Sequence, residues 1–173
     1  FTKQGENVFD TVEWASRSSR ITNADGSLVF EMTDAEIPAD WSQLATDIMV
    51  SKYFRKAGVP QFEQDGTPIM NDDGTPATGP ERSVRQIVNR LAGCWREWGL
   101  NNNYFASEKD ADAFYDELCY MLVNQMAAPN SPQWFNTGLN WAYGINGPAQ
   151  GHWTADHASG ELGLAPDAYT HPQ

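Results

Sequence analysis

Hydrophobic and polar positions change period along the chain, and each change predicts an element. Over the first 35 residues they alternate: Val8, Asp10, Val12 and Trp14 share one face of a strand pattern, with Phe9 and Glu13 on the other. Two short strands are expected between Arg20 and Phe30. Asp25-Gly26 lies between them and supplies the positive φ angles of a tight hairpin turn. The period then lengthens. Trp41, Leu44, Ala45, Ile48, Met49 and Tyr53 recur at three- and four-residue steps, which predicts a helix. Asp40 is the expected N-cap, because Pro38 bars helix before it. Lys52, Arg55 and Lys56 place positive charge in the last turn, favourable against the helix dipole, and Gly58 with Pro60 ends it.

Residues 57–80 show neither period and carry Asp-Gly-Thr-Pro twice, at 65–68 and 73–76. This predicts a flexible loop or a small hairpin carrying two turns. A second helix is expected from about Glu81 to Trp98, with Val84, Ile87, Val88, Leu91, Ala92, Trp95 and Trp98 as its apolar stripe and Gly99 just past its end. A third starts at Ser107, which pairs with Asp110 in the manner of a capping box, and carries Phe114, Leu118, Met121 and Leu122 at helical spacing before Pro129. Such stripes bury one another, so the middle of the chain is explained by packing alone. The fold class expected is mainly α (α+β): a small helical domain with a β-hairpin over residues 1–128, and a different, loop-rich region over 129–173.

A chain of 173 residues supports one domain, and its 40% hydrophobic content excludes collagen, coiled coil and wholesale disorder. Eleven Lys and Arg face 23 Asp and Glu, a net charge of -12 that repels phosphate backbones and argues against non-specific nucleic-acid binding. No run approaches the roughly 18–20 apolar residues of a membrane span. No basic leader precedes an apolar core, so a cytoplasmic setting is expected. The chain begins at Phe1 without Met and stops at Gln173 after a loop-like stretch, which reads as a piece of something longer.

Candidate chemistry is sparse. Cys94 and Cys119 cannot build a disulfide scaffold or a four-thiolate zinc site, and each sits in a predicted amphipathic helix, where a cysteine acts as a small hydrophobe. His152, Asp156 and His157 lie within six residues, but their spacing matches no metal signature, and His171 has no candidate partner. Registering Gly74 in a calcium loop puts Ile69 and Pro80 where carboxylates are required, so Asn71-Asp72-Asp73-Gly74 reads as a turn. One segment stands apart, Ala128 to Leu139. Pro129 and Pro132 hold the backbone extended around Ser131, whose N–H and hydroxyl can then face outward as phosphate donors. The competing reading is a helix-ending turn anchored by Trp134 and Phe135.

Asn130-Ser131-Pro132-Gln133-Trp134-Phe135-Asn136-Thr137-Gly138-Leu139 resembles the segment that opens the catalytic barrel of ribonucleotide reductases. The blocks Trp41 to Asp47, Ser51 to Arg55, Glu81 to Gln86, Ala142 to Ile145 and Gln150 to His152 resemble the coenzyme B12-dependent (class II) branch, in the same order and across almost the whole chain. The resemblance implies an oxidoreductase that converts ribonucleotides to deoxyribonucleotides for DNA synthesis. In it adenosylcobalamin generates a cysteine radical and a cysteine pair supplies electrons. It also implies that Ser131 lines the phosphate end of the substrate. The radical cysteine, its glutamate and asparagine partners and the redox pair would all lie beyond Gln173. This chain alone is therefore expected to be inactive and not to bind adenosylcobalamin by itself. No catalytic residue or metal ligand is assigned to it.

On that resemblance, residues 129–173 are the first strand of a truncated catalytic barrel plus an inserted loop, with an unsatisfied sheet border near Ser131. The expected partners are a ribonucleotide, as diphosphate or triphosphate, and the rest of the reductase chain; a homodimer is compatible with an exposed barrel edge. The rival is a stand-alone acidic interaction module that offers Trp134, Trp141 and Trp153 to a protein partner.

Overall fold

The structure, a computed structural model, describes residues 1–63, 65–156 and 158–170. Antiparallel strands β1 (Trp14–Thr22) and β2 (Leu28–Pro38) form the hairpin, pairing Trp14 with Pro38 and Arg20 with Glu31. Gly26 takes φ +83 in the connecting turn. There the Ser27 hydroxyl and backbone N–H donate to Asp25 and hold its carboxyl below the usual range. The strand pattern expected around Val8 is instead a 3-10 turn, Val8–Thr11, capped by Asn7. Val8 and Phe9 are adjacent and both buried, which the two-residue period of a half-buried strand forbids and a helical turn allows.

The first helix differs from expectation at both ends. α1 spans Gln43–Ile48, and its N-cap is Ser42, whose hydroxyl accepts from Ala45 N at 3.1 Å, rather than Asp40. Trp41 cannot join the helix because its position is already taken up: its indole N–H donates to Val123 O at 2.7 Å, and Arg17 holds the carbonyls of Ala39 and Trp41. After Ile48 the chain widens into a π-helical turn, Met49–Tyr53, in which Phe54 N reaches back to Met49 O at 3.0 Å. The extra residue rotates the buried face. Leu44 and Ile48, expected inside, are 69% and 45% exposed, while Thr46, Met49, Val50 and Phe54 are buried.

In residues 57–80 the two Asp-Gly-Thr-Pro repeats are two successive turns. Gly66 N donates to Glu63 O at 3.0 Å and Gly74 N to Asn71 O at 2.9 Å. The outer strands β3 (Val59–Pro60) and β4 (Thr78–Gly79) pair, and Ile69 bridges to Gln61 and Ala77 between them. α2 (Val84–Asn101) begins with a complete capping box, Ser83 with Gln86. It runs through Gly99 rather than stopping there. The glycine serves packing, since an added Cβ would lie 2.3 Å from the Phe105 ring. α3 (Glu108–Val123) starts from the Ser107 cap as expected. The core gathers Ile37, Trp41, Val50, Ile87, Leu91 and Leu122 from the hairpin and these helices.

The strand expected from residue 129 is a correction. Ser131–Asn136 form a short helix, α4, followed by α5 (Leu139–Tyr143), and no strand lies between 129 and 152. Pro132 falls in the first turn of α4, where its missing N–H and fixed φ are tolerated, so the prolines start a helix instead of extending the chain. Ser131 thus borders no sheet. A last hairpin, β5 (Trp153–Ala155) with β6 (Leu162–Leu164), follows. The result is a mixed α and β fold with three small two-stranded sheets among the described residues. No helix among them is long and apolar enough to cross a membrane.

Candidate functional site

Ser131 is half-buried at the start of α4, and its hydroxyl lies 3.0 Å from the hydroxyl of Tyr53, in a bond that either can donate. The side chain expected to face outward is therefore shared with the π-helical turn. The Tyr53 ring packs against Trp134 and Phe135 with centroids 6.0 and 5.3 Å apart, which fixes the pair. Beside it opens a cleft of about 280 Å3 between Lys52, Arg55 and Lys56 on one wall and Phe135 and Asn136 on the other. The Lys56 ammonium donates to Val50 O and lies 4.3 Å over the Phe30 ring. Burial lowers its pKa, and the charge of Glu81 works against that shift.

Both walls are held by one ion pair that the hydrophobic pattern did not reveal. Glu81 and Arg90 are completely buried, with Arg90 Nε 2.7 Å from Glu81 Oε1. Glu81 Oε2 also accepts from Arg55 N at 2.8 Å, and Glu81 N donates to Arg55 O at 2.8 Å, so the cationic wall is gripped on both sides of one residue. Arg90 donates through Nη1 to Thr137 O and through Nη2 to Trp134 O, each at 2.7 Å, which anchors α4. The Tyr143 hydroxyl adds a bond to Glu81 Oε1 at 2.9 Å, and burial, then the nearby carboxylate, raises it above the usual tyrosine range. The approach of the α4–α5 turn to α2 requires Gly138: its φ is +80, and a Cβ there would lie 2.0 Å from Arg90 O. A signal was present in the sequence. Arg90 stands beside Leu91 and one turn after Ile87, so a charge falls on the apolar stripe and must find a partner.

A family profile described as class II vitamin B12-dependent ribonucleotide reductase matches residues 15–125. The chain belongs to that family. It is 46% identical to the vitamin B12-dependent ribonucleotide reductase of Agrobacterium fabrum over 100% of its own length, and 46% identical to that of Bradyrhizobium diazoefficiens over 99%. The reductase of Rhodopirellula baltica is 37% identical over 98% of the chain. The chain spans about 15% of the length of each of these relatives. Ser131 lies outside the segment matched by the profile but inside the alignment to the Agrobacterium reductase.

The remaining candidates of this reductase segment do not converge on a reactive centre. Cys94 and Cys119 are buried, and desolvation pushes their thiols up to about 11 and about 12, which keeps both protonated and inert near neutral pH. Asp156 organises a turn, accepting from Ala158 N and Ser159 N at 3.1 and 2.7 Å. His157 and His171, named as candidates, and Gln173 lie outside the described residues. Among the described residues no group of three His, Cys, Asp or Glu side chains is arranged to hold a metal ion. Of the three tryptophans offered to a partner, Trp134 is buried, Trp141 packs over Gly93 yet stays 44% exposed, and Trp153 is 68% exposed.

Proposed function

We propose that this chain is the N-terminal part of a cytoplasmic enzyme that reduces ribonucleotides to deoxyribonucleotides with adenosylcobalamin. In this reading residues 129–173 lead into its catalytic barrel, and Ser131 stands at the phosphate end of the substrate. The observation that carries the reading is identity of 46% along the entire chain to a B12-dependent reductase, of which the chain spans 15%. The partners are a ribonucleotide and the rest of the reductase chain.

Adenosylcobalamin, when bound, supplies a radical to a cysteine of the enzyme. A thiol serving that purpose must be open to cofactor and substrate, whereas both thiols here are closed inside helices α2 and α3. Neither thiol fits that role, and no step through the cofactor is assigned to this chain. The contribution of this chain is to place the Ser131 hydroxyl. Tyr53 holds it from one side, and Arg90 holds the carbonyls at the far end of its helix.

The chain alone, given adenosylcobalamin, a dithiol and ribonucleotides, is expected to show no turnover; measurable deoxyribonucleotide would overturn its assignment as an incomplete piece. In the longer reductase that contains it, Ser131→Ala should raise KM for the nucleotide about tenfold by removing one hydrogen bond to a charged phosphate. An unchanged KM would remove Ser131 from the substrate site.

A further inference from the structure

The hairpin β5–β6 is built inside out. Trp153 pairs with Leu164 and Ala155 with Leu162, and cross-strand partners share one face of a ribbon. That face is turned to solvent: Leu162 is 75% exposed and Leu164 63%, and Trp153 stands out beside them. Thr154 and Gly163, which alternate onto the other face, are the half-buried pair. The hairpin therefore turns a hydroxyl and a bare backbone inward and its large apolar side chains outward. Strands of three residues have little stability of their own in water, and only the base of this hairpin is tied down, by Ala165 N donating to His152 O at 2.8 Å.

The exposed face continues into a second apolar surface. Trp153 lines a cleft of about 870 Å3 together with Trp95, Trp98, Tyr104, Phe105 and Phe114, which come from the end of α2, the loop after it and α3. Tyr104 is 80% exposed. No charged side chain lines this cleft. Carboxylates stand at its margin instead: Glu97 accepts from Asn101, a cleft residue, at 3.3 Å, and Glu161 precedes Leu162. Aromatic side chains without charge, inside a polar rim, are the composition of the centre of a protein interface. A free monomer rarely leaves so large an apolar patch open. The whole chain exposes 10333 Å2, about a fifth more than the ~8,500 Å2 that surface scaling gives a compact monomer of 19.3 kDa. That excess is larger than the roughly 800 Å2 each partner contributes to a standard interface.

We propose that the aromatic cleft and the outward face of β5–β6 form one docking surface, covered by the part of the reductase that lies outside this segment. The proposal rests on reading the chain as a piece of a longer reductase. Two observations choose this occupant. The chain spans about 15% of its relatives' length, so most of each relative lies outside the aligned segment and is available to cover it. A second copy is disfavoured by charge, because each copy carries -12 and the two acidic margins would meet. The matching surface is accordingly apolar, with Lys or Arg at its edge to face Glu97 and Glu161. A segment of the same polypeptide also reaches the cleft at high effective concentration, which a separate partner does not.

Hydroxyl-radical footprinting of the 173-residue chain and of the longer reductase that contains it tests this. Trp153, Tyr104 and Leu162 should be oxidised at least about fivefold more slowly in the longer protein, as side chains at the centre of an interface are. Leu44, exposed on α1 away from the surface, should react equally in both. Leu162→Asp in the longer protein should return Trp153 and Tyr104 to the rates of the chain alone, and Leu44→Asp should not. In the chain alone Leu162→Asp should leave the unfolding midpoint unchanged, because the side chain is open to water there. Trp153 and Tyr104 that react as fast in the longer protein as in the chain alone would overturn the proposal. So would equal slowing of Leu44, which would mean general scavenging. Protection that grows with the concentration of the 173-residue chain itself would overturn it by making the occupant a second copy. Turnover separates this proposal from the reductase reading. A longer protein that forms deoxyribonucleotide with the surface still reactive refutes the surface alone, and one with the surface protected but no turnover refutes the reading alone.

Discussion

Helix α2 is buried by two different chemistries. In the core it shares with α3 and β2, the partners are Val84, Ile87, Val88, Leu91 and Ala92 from α2, with Ile37, Cys119 and Leu122 around them. Toward α4 and the segment after β4, the same helix presents Arg90, and the partner is Glu81 with a set of backbone carbonyls. Apolar contact is non-directional: it rewards area and tolerates small rotations of one helix on another. A buried guanidinium is directional. Each donor must meet an acceptor, so one residue dictates where Trp134, Thr137 and, through Glu81, Arg55 can sit. The apolar side builds the domain, and the charged side aims the candidate site.

The largest effect expected from breaking this contrast is on the charged side. Arg90→Ala leaves the buried Glu81 carboxyl without its cation and strips the carbonyls of Trp134 and Thr137 of their donor. It should cost about 3–5 kcal/mol in denaturant unfolding. Hydrogen exchange should quicken first in residues 131–143, the helices that Arg90 anchors. Leu91→Ala, next door, should cost about 3 kcal/mol by leaving a cavity, with exchange rising across α2 and α3 instead. If the two variants quicken exchange in the same amides, the division of α2 into two chemistries is wrong. The smallest effect sharpens the comparison from outside the core. Leu44, on the expected stripe of α1 but 69% exposed, should tolerate Leu44→Ala within about 0.5 kcal/mol in the same unfolding measurement. A loss several times larger would restore the face that the spacing had predicted.

Legibility in the sequence followed the range of the forces involved. The Asp25-Gly26 turn, the Ser107 cap and the stripe of α2 depend on neighbours a few residues away, and each was readable. So were the two turns in residues 57–80, as one of two forms left open. Ser42 replaced Asp40 as a cap because Trp41 is claimed by Val123, a residue 82 positions away. Gly99 was read as a stop because glycine often ends helices, but here its missing side chain makes room for Phe105. Around the candidate site, Ser131 was singled out from its prolines, and the segment resembled a known enzyme. Its helical conformation and its bond to Tyr53 were not readable from those same prolines, which suit a helix start as well as an extended strand.

Periodicity, turn chemistry and composition were enough to establish the hairpin, helices α2 and α3 and the acidic character of the chain, and the blocks around Trp41, Ser51, Glu81 and Asn130 carried its resemblance to class II reductases. All of these are written in residues close together or in their simple totals. Which face α1 buries, where Arg90 sends its hydrogen bonds, and how Lys52 and Arg55 come to oppose Phe135 were settled only on folding. A buried charge must be paired and a helix must meet a particular surface, and the groups that satisfy both demands arrive from distant parts of the chain.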